Sequence, residues 1–337
     1  IALTRYGNTV YFLNPPSRSS TCSRTAYTGL YTIDYTPVVR GLNRMPEGIA
    51  RRLSCLDVKK ISALAKTSFD VIWSFDPFRL QFPRLFRAPT NIYFAADWHA
   101  ARKKEILIAN QSDVVLSPSR LLLDSIDTKT LKYFIHHAVA DYFFDAKAMQ
   151  QLPGHNPFKV GYVGNLHSKY LDFRLLKRVI AENADCDFIF VGDDSGTPLK
   201  DTRPAENVFF LGAFSSDRVP AFLKACDILL LCYDTVSYRA QASNSHKVME
   251  YLASGKAIVS TRMEEYLHAP RLLNMPENNG ELPALLRSVK EKLHVLNNPQ
   301  SQETRIEFAR TNTYDYQLST IDRVIDEAKS GNPSFAA

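Results

Sequence analysis

Short apolar runs alternate with helical patterns along most of the chain, and this alternation restricts the possible folds more than any other feature. In the first half, Asp70–Ser74, Asn91–Ala95 and Asp113–Ser117 have the pattern of buried strands, and a second series begins at Lys159–Val163. Apolar strands separated by helices are typical of parallel sheets covered by helices. Between the two series, Gln150–Pro157 contains two prolines and a glycine and is the predicted linker. The sequence therefore predicts an α/β protein with two domains.

The first residues of the chain have the pattern of an α/β domain whose opening elements precede them. Leu3–Gly7 is typical of the end of a helix with a glycine cap, and Thr9–Leu13 then has the pattern of a strand. An α/β domain of this kind ordinarily opens with a strand and a glycine-bearing turn. We therefore expect the first strand, its loop and most of the first helix of this half to lie before Ile1.

The amino-acid composition indicates the cellular compartment in which the protein is expected to act. Apolar residues make up 45% of the 337 positions, which predicts a packed fold instead of disorder. There is no apolar run of the roughly 18 to 20 residues that span a bilayer, and no signal peptide. The five cysteines are scattered without a C-x-x-C pair, as is typical of free thiols in a reducing compartment. We expect a cytoplasmic protein.

Positive charge is concentrated in the first half. Residues 1–150 carry 20 Lys and Arg against 12 Asp and Glu, whereas the remainder carries 21 against 23. A basic half suits an anionic partner such as lipid headgroups or a pyrophosphate-linked acceptor, and no motif resembles a nucleic-acid module. Within residues 47–66, Arg52, Lys59 and Lys66 repeat every seven residues beside apolar side chains. This pattern predicts either a weak contact with an anionic membrane surface or an ordinary solvated helix face.

Residues 243–261 carry the most specific motif. Ser243, Asn244 and Ser245 precede a predicted short helix, Gly255 ends it, and a buried strand follows. Lys247 and Glu250 are three residues apart and share one helix face. A helix amino terminus with a lysine attracts phosphate, and a carboxylate one turn further can accept hydrogen bonds from a ribose diol. The motif predicts a nucleoside-diphosphate site, and an ordinary capped helix with solvated charges is the alternative.

The same segment resembles the nucleotide-sugar signature of glycosyltransferases with the GT-B fold, in or near family 4. More narrowly, it is similar to bacterial enzymes of the teichuronic-acid type. The matching positions are Lys247, Glu250, Tyr251, Leu252, Ala253, Gly255, Lys256, Val259, Ser260 and Thr261. Fragments at 161–164, 207–212 and 227–233 resemble the family in the same order along the chain.

The resemblance implies two Rossmann-like domains that face each other across a cleft. Residues 1–150 would form an acceptor-binding domain that lacks its first strand, and 151–312 would form the nucleotide-sugar-binding domain. Residues 313–337 would form a helix that crosses back to the first domain. His136 and His137 precede the linker, where a role in domain closure is favoured over metal binding.

The resemblance also implies a set of donor-binding residues. Lys169 and Lys247 would neutralise the leaving diphosphate, so that neither a metal nor another cofactor is expected. A turn glycine at 164 and a solvated Lys169 are the ordinary alternatives. The full predicted set is Gly164, Asn165, Lys169, Tyr233, Asn244, Ser245, His246, Lys247 and Glu250.

One position departs from the family pattern. Retaining members carry a second Glu about eight residues before the position of Glu250, and this chain has Ala242 there. The sugar contact would then come from Tyr233, Asp234 or Asn244. The departure leaves a retaining and an inverting outcome both open.

Asp97 is the predicted catalytic base. It follows a predicted buried strand, and ligands of open α/β sheets bind at the carboxyl ends of strands. Tyr93–Asp97 resembles the base-bearing strand end of inverting glucuronosyltransferases, in which an Asp deprotonates the acceptor hydroxyl. An N-cap role for Asp97 is the structural alternative, and His99 is a second catalytic candidate.

Together with these patterns, the resemblance implies a metal-independent glycosyltransferase of the hexosyl type. It would move a sugar from a nucleoside-diphosphate donor to a glycan or lipid-linked acceptor in bacterial surface-polysaccharide biosynthesis. It would work in the cytoplasm, in peripheral contact with the inner face of the plasma membrane and without nucleic acid. A nucleotide-sugar epimerase of the same architecture and an inactive nucleotide-sugar-binding subunit are the alternatives.

Overall fold

The computed structural model describes residues 1–99, 101–149, 151–200 and 206–330, and the chain divides into two compact units. Unit 1 comprises Ile1–Ile135 together with the C-terminal segment from Gln317, and unit 2 comprises His136–Tyr316. Gln150, where the predicted linker begins, lies outside the described residues, as do residues 331–337 of the predicted tail. The separate roles predicted for the domains stay predictions.

The described residues form twelve strands, most of them short and apolar. They are β1 (Val10–Leu13), β2 (Thr21–Arg24), β3 (Leu30–Asp34), β4 (Val71–Ser74), β5 (Thr90–Phe94), β6 (Val114–Ser117), β7 (Leu131–Phe134), β8 (Phe158–Val163), β9 (Cys186–Val191), β10 (Val208–Phe210), β11 (Ile228–Leu231) and β12 (Ala257–Ser260). The apolar runs of the sequence predict β1, β4, β5, β6, β8 and β12. The β2 strand is mostly exposed, and its Thr-Cys-Ser-Arg sequence lacks the apolar signal of a buried strand.

Thirteen α-helices lie in the described part of the chain. They are α1 (Ala2–Arg5), α2 (Glu47–Ala65), α3 (Arg102–Ala109), α4 (Arg120–Ser125), α5 (Tyr142–Asp145), α6 (Phe173–Ala181), α7 (Val219–Ala225), α8 (Arg239–Ala242), α9 (His246–Ser254), α10 (Leu282–Glu291), α11 (Leu293–Leu296), α12 (Pro299–Arg310) and α13 (Tyr314–Ser330). Short 3-10 helices occur at Leu42–Arg44, Pro83–Phe86, Glu264–Tyr266 and Asn279–Glu281. None of the described helices combines the length and the apolar character that a bilayer-spanning helix needs.

Unit 1 contains two sheets. The first has the order β1-β3-β2, with β1 parallel and β2 antiparallel to β3. The second is fully parallel with the order β4-β5-β6-β7. Helix α13 contributes Ile321, Val324 and Ile325 to the core formed by Ile92 and Leu116 of the parallel sheet. The part of α13 from Gln317 onward is therefore an integral part of unit 1.

Unit 2 is organised around one parallel sheet with the order β10-β9-β8-β11-β12. Its central strands are buried on both faces, as the continuous apolar runs predict. The crossover connections bring helices over the faces, and the carboxyl ends of all five strands lie at one edge. That edge is where a doubly wound sheet ordinarily receives a ligand.

Helix α9 is fixed at its carboxyl end by a buried arginine. Arg305 of α12 is 2% exposed, and its Nε donates a hydrogen bond of 3.0 Å to the carbonyl of Gly255, the residue that ends α9. Burial lowers the pKa of the Arg305 guanidinium to about 10, so it remains charged at neutral pH. A cation at a helix carboxyl terminus stabilises the helix dipole. The helix that carries Lys247 is therefore firmly anchored in the unit.

Candidate functional site

Glycines follow three neighbouring strands at the carboxyl edge of the unit 2 sheet. The Gly164 N–H donates to the Val191 carbonyl at 2.8 Å, and the Gly192 N–H donates to the Gly212 carbonyl at 2.9 Å. Gly164 and Gly192 have φ angles of +146° and +151°, which side chains other than hydrogen rarely allow. A Cβ atom on Gly192 would overlap the Gly164 carbonyl oxygen. At both glycines the protein itself fills the space of a side chain, with the Gly164 carbonyl beside Gly192 and the Lys247 side chain beside Gly164.

Lys247 lies against this glycine edge. Its Nζ atom would be 3.1 Å from a Cβ atom placed on Gly164, so the ammonium group sits at the end of β8. The side chain is half-buried, and within the described residues it has neither an ion pair nor a hydrogen-bond acceptor. Glu250 interacts with this ammonium electrostatically, but the two side chains form no ion pair. A partly buried cation without a direct ion-pair partner can receive an anion.

The amino terminus of α9 adds free donors beside this cation. Ser245 precedes the helix, but its side chain does not cap it. The backbone N–H groups of His246 and Lys247 have no acceptor in the described part of the chain, whereas the Val248 N–H donates to Ser245. Unpaired N–H groups and the positive end of the helix dipole act together on an anion.

Glu250 lies one turn further along the same face of α9. Burial raises the pKa of its carboxyl to about 7, although Lys247 acts in the opposite direction. No described residue donates a hydrogen bond to it. The phenol of Tyr314 is close enough that Glu250 contributes to raising the pKa of that group, after the larger effect of burial. A half-buried carboxyl without a protein partner is available to the hydroxyl groups of a ligand.

Hydrogen bonds of tyrosine hydroxyls hold α9 and the residues just before it in place. The Tyr251 hydroxyl accepts from the Val163 N–H at 2.9 Å, and the Tyr266 hydroxyl donates to Asn244 Oδ1 at 2.8 Å. The hydroxyls of Tyr233 and Ser245 lie 3.2 Å apart. Tyr233, Asn244 and Ser245 are at most 9% exposed. Their side chains therefore position the helix, and direct contact of the three with a donor stays a prediction.

Two histidine side chains lie close together at the amino terminus of α9. The rings of His137 and His246 are 6.1 Å apart at an angle of 76°. Desolvation of the ring, with smaller contributions from Lys247 and His137, lowers the pKa of His246 below the ordinary 6.5, which favours the neutral imidazole at pH 7. The sequence predicts His246 in the donor site and favours domain closure as the role of His137. Its proximity to His246 is a tertiary contact that no local motif signals.

The two remaining predicted donor residues lie on the loop after β8. Asn165 Oδ1 accepts a hydrogen bond from the His167 N–H at 2.8 Å, which shapes the turn. Lys169 is exposed, and its ammonium lies 5.3 Å and 5.7 Å from the ring centroids of Tyr170 and Tyr238. Cation–π contacts hold the lysine without neutralising its charge. Its role toward a diphosphate stays a prediction.

The predicted catalytic residues lie after β5 in unit 1. Helix α3 begins at Arg102 and is preceded by Ala101, so Asp97 is not its N-cap. Asp97 is exposed, and the ring of His99 packs edge-on against Phe78 at 5.5 Å. The N-cap alternative is excluded, and a catalytic role for either residue stays a prediction.

Comparisons with known proteins agree with the geometry of unit 2. Residues 157–284 match the model of a family described as Glycosyl transferases group 1. The teichuronic acid biosynthesis glycosyltransferase TuaH of Bacillus subtilis strain 168 is 25% identical over 174 residues, 48% of this chain and 43% of that protein. The chain thus matches less than half the length of this curated relative. The resemblance predicted from the signature segment is confirmed.

Solved structures share the fold across nearly the whole chain. Sucrose-phosphate synthase from Thermosynechococcus elongatus has a TM-score of 0.71 at 12% identity, covering 98% of this chain and 92% of that one. A glycosyltransferase from Rickettsia africae ESF-5 has a TM-score of 0.69 at 14% identity, covering 98% and 93%. Anabaena HepE in complex with UDP-glucose has a TM-score of 0.63 at 18% identity, covering 89% and 86%. The predicted fold class is confirmed: Rossmann-like α/β units with parallel sheets, as in GT-B glycosyltransferases.

Proposed function

We propose that this chain, whose residues 157–284 match group 1 glycosyl transferases, moves a sugar from a nucleoside-diphosphate donor to a glycan or lipid-linked acceptor. One observation carries the proposal: the unneutralised ammonium of Lys247 lies at the glycine edge, beside the free N–H groups of His246 and Lys247. Similarity to TuaH supports a role in bacterial surface-polysaccharide biosynthesis.

The proposed reaction places charge where the site can stabilise it. The acceptor hydroxyl oxygen forms a bond to the anomeric carbon, and the bond from that carbon to the phosphate oxygen breaks with its electron pair on the diphosphate. Lys247 and the α9 amino terminus would stabilise that negative charge, with Lys169 as a second cation. Glu250 would accept hydrogen bonds from the ribose hydroxyls. Asp97 is the proposed base for the acceptor proton.

We propose that no metal takes part, because two lysines and a helix amino terminus can supply the positive charge that a metal supplies elsewhere. Within the described residues, no three metal-ligating side chains cluster. Activity that is unchanged by EDTA would support this proposal, and activity restored only by a divalent cation would contradict it.

We also propose a weak contact between unit 1 and an anionic membrane surface at the cytoplasmic face. The exposed side of α2 carries Ile49, Arg52, Leu56, Lys59 and Ala63 at alternating spacings of three and four residues, and the exposed Lys66 follows the helix as its C-cap. Ile49 and Leu56 are 52% and 46% exposed, although both are large and apolar. A stripe that alternates apolar and basic residues suits the interface of an anionic bilayer. We call it the outer stripe of α2.

Calorimetric titration with UDP tests the donor site. UDP is the probe because HepE is described in complex with UDP and with UDP-glucose. Lys247→Ala should weaken UDP binding at least tenfold, about 1.4 kcal/mol. Lys256→Ala is the matched control, because Lys256 follows the opposite end of α9. Equal affinity of wild type and Lys247→Ala would overturn the assignment.

Turnover assays distinguish the proposed transferase from an epimerase and from an inactive nucleotide-sugar-binding subunit. The family model and the curated relative are both described as glycosyltransferases, which favours transfer over epimerisation. Incubation with donor alone should yield no epimer. Release of UDP that increases with an acceptor would exclude an inactive binding subunit.

A further inference from the structure

Ser245 has the residue type and the backbone of a helix N-cap, but its side chain does not cap α9. Serine is among the preferred N-cap residues, and the Ser245 backbone is extended, with φ −109° and ψ 136°. In the same chain, Ser119, Asp172 and Asn298 each accept a hydrogen bond from a backbone N–H of the helix that they precede. The reason for the missing cap therefore lies in the surroundings of Ser245.

The hydroxyl of Ser245 is held by Tyr233. The two hydroxyl oxygens lie 3.2 Å apart, and within the described residues this is the only hydrogen bond of the Ser245 side chain. Tyr233 is fixed just after β11, because its N–H donates to Thr261 Oγ1 at 3.0 Å and its backbone forms a bridge with Leu171. Both Tyr233 and Ser245 are at most 9% exposed, so little water competes for the contact. Tyr233 therefore determines where the serine hydroxyl points.

A second tyrosine extends this contact toward the glycine edge. The Tyr162 hydroxyl would lie 2.9 Å from a Cβ atom placed on Gly164, at the position that Lys247 also approaches. Burial raises the pKa of the Tyr162 hydroxyl, and Tyr233 raises it further, so Tyr162 stays protonated and can donate a hydrogen bond to Tyr233. The proton of Tyr233 is then available to the Ser245 oxygen.

The missing cap leaves one particular backbone group of α9 free. An N-cap side chain accepts from the second or third N–H of its helix, which here belong to Lys247 and Val248. The Val248 N–H already donates to the Ser245 carbonyl at 2.9 Å, whereas the Lys247 N–H has no acceptor among the described residues. The Lys247 N–H is therefore the group that a capping Ser245 would occupy. It is also one of the two free N–H groups of the proposed diphosphate site.

We propose that Tyr233 is a positioning residue of the donor site: by holding the Ser245 hydroxyl, it leaves the Lys247 N–H free for a diphosphate oxygen. The inference rests on the proposed function, in which that oxygen belongs to a nucleoside diphosphate. Without the phenol hydroxyl of Tyr233, the Ser245 side chain caps α9 and competes with the ligand for this N–H. The tyrosine thus keeps an anion-binding group open that the sequence around Ser245 would otherwise close.

Amide hydrogen exchange, followed by NMR on the full chain, tests the role of Tyr233 without a ligand. In Tyr233→Phe the Lys247 amide should exchange about fivefold more slowly than in the wild type, because the freed Ser245 hydroxyl accepts its hydrogen bond. Adding Ser245→Ala to Tyr233→Phe should return the exchange rate to the wild-type value. An exchange rate that is unchanged in Tyr233→Phe would overturn the inference.

Calorimetric titration with UDP tests the effect on binding. Tyr233→Phe should weaken UDP binding about fivefold, because the ligand must displace the Ser245 hydroxyl from the Lys247 N–H. In a Ser245→Ala background the same substitution should change UDP affinity by less than about twofold. This dependence separates a positioning role from a direct contact between Tyr233 and the ligand, since a direct contact would be lost in both backgrounds.

Tyr266→Phe is the matched control for the exchange experiment. Tyr266 is 1% exposed, and its hydroxyl donates to Asn244 Oδ1, so this variant also removes a phenol hydroxyl beside the start of α9. It does not free the Ser245 hydroxyl, and the Lys247 amide should therefore exchange no more slowly than in the wild type. Slower exchange of this amide in both tyrosine variants would overturn the inference.

The titrations also separate this inference from the proposed function. If the wild type binds UDP, two results would remove the inference alone: equal UDP affinity of Tyr233→Phe and the wild type, or a loss of affinity that persists in full when Ser245 is replaced by alanine. Absence of UDP binding to the wild type would instead remove the proposed function and, with it, the role assigned to Tyr233.

Discussion

At the scale of single residues, the carboxyl of Glu250 has surroundings unlike those of a surface acid. Burial raises its pKa from 4.5 to about 7, and no described residue donates a hydrogen bond to it. A charged carboxylate accepts ribose hydroxyls better than a protonated carboxyl does. Donor binding should therefore depend on pH near neutrality.

We expect UDP affinity of the wild type to fall as pH drops from 8 to 6, because Glu250 takes up a proton in this range. Glu250→Gln should bind UDP more weakly at pH 8 and lose most of that dependence. Calorimetric titration at several pH values measures both. A Glu250→Gln profile parallel to that of the wild type would contradict the role.

The same shift predicts the sign of a stability change. Between pH 4.5 and 7, the folded state holds the Glu250 proton more tightly than the unfolded chain. The free energy of unfolding should therefore fall as pH rises through this window, and the loss should be complete above pH 7. Glu250→Gln should remove this contribution. Denaturant unfolding of both proteins at pH 5 and pH 8 measures the difference.

Asp97 gives a second prediction at this scale. Asp97→Asn should reduce turnover by at least a hundredfold while UDP affinity is retained, because an amide cannot accept the acceptor proton. Asp127→Asn is the control, since Asp127 is another exposed aspartate of unit 1. Turnover of Asp97→Asn at the wild-type rate would refute the assignment.

At the scale of elements, α2 shows which features of a helix its residue periodicity predicts and which depend on tertiary packing. Its inner face buries Ala50, Ser54, Asp57, Val58, Ile61 and Ala65. This face includes a serine and an aspartate, whereas large apolar residues lie outside. A sequence pattern places residues on a common face, but only packing decides which face is inside. The predicted basic stripe is exposed, and its membrane contact stays a proposal.

Vesicle sedimentation tests the outer stripe of α2. Wild type should bind phosphatidylglycerol vesicles at low salt and bind zwitterionic vesicles weakly, because each cation contributes about 1 kcal/mol near an anionic surface. Replacing Ile49 and Leu56 together by Ser should reduce binding severalfold. Val295→Ser is the control, since Val295 is 50% exposed in unit 2. Equal binding to both vesicle types would contradict the proposal.

At the scale of the whole molecule, the order of the chain and the two compact units do not coincide. Unit 1 takes its last helix from the end of the sequence, after the whole of unit 2. The sequence analysis predicts a helix within residues 313–337, and α13 is observed at Tyr314–Ser330. Its apolar spacing predicts an amphipathic helix, and the apolar face packs on the parallel sheet of unit 1.

This arrangement predicts which unit a tail substitution weakens. Val324→Ala removes two buried methyl groups from the unit 1 core and should cost about 2 kcal/mol. Asp326→Ala, on the exposed side of α13, should have little effect. Scanning calorimetry with and without UDP measures the two units, because UDP should raise only the transition of unit 2. A Val324→Ala effect confined to that transition would contradict the packing.

Local pattern alone was enough to predict the strands β8 and β12, the short helix between Ser245 and Gly255, and the placing of Lys247 and Glu250 on one face. These features depend on residue spacing and on capping, which act over a few residues. Other features depend on contacts between distant segments. The approach of Lys247 to Gly164, the Tyr251 bond to Val163, the pairing of His137 with His246 and the contact of Tyr233 with Ser245 have no local signature. Only tertiary packing decides them, because burial and partner choice are properties of the folded chain.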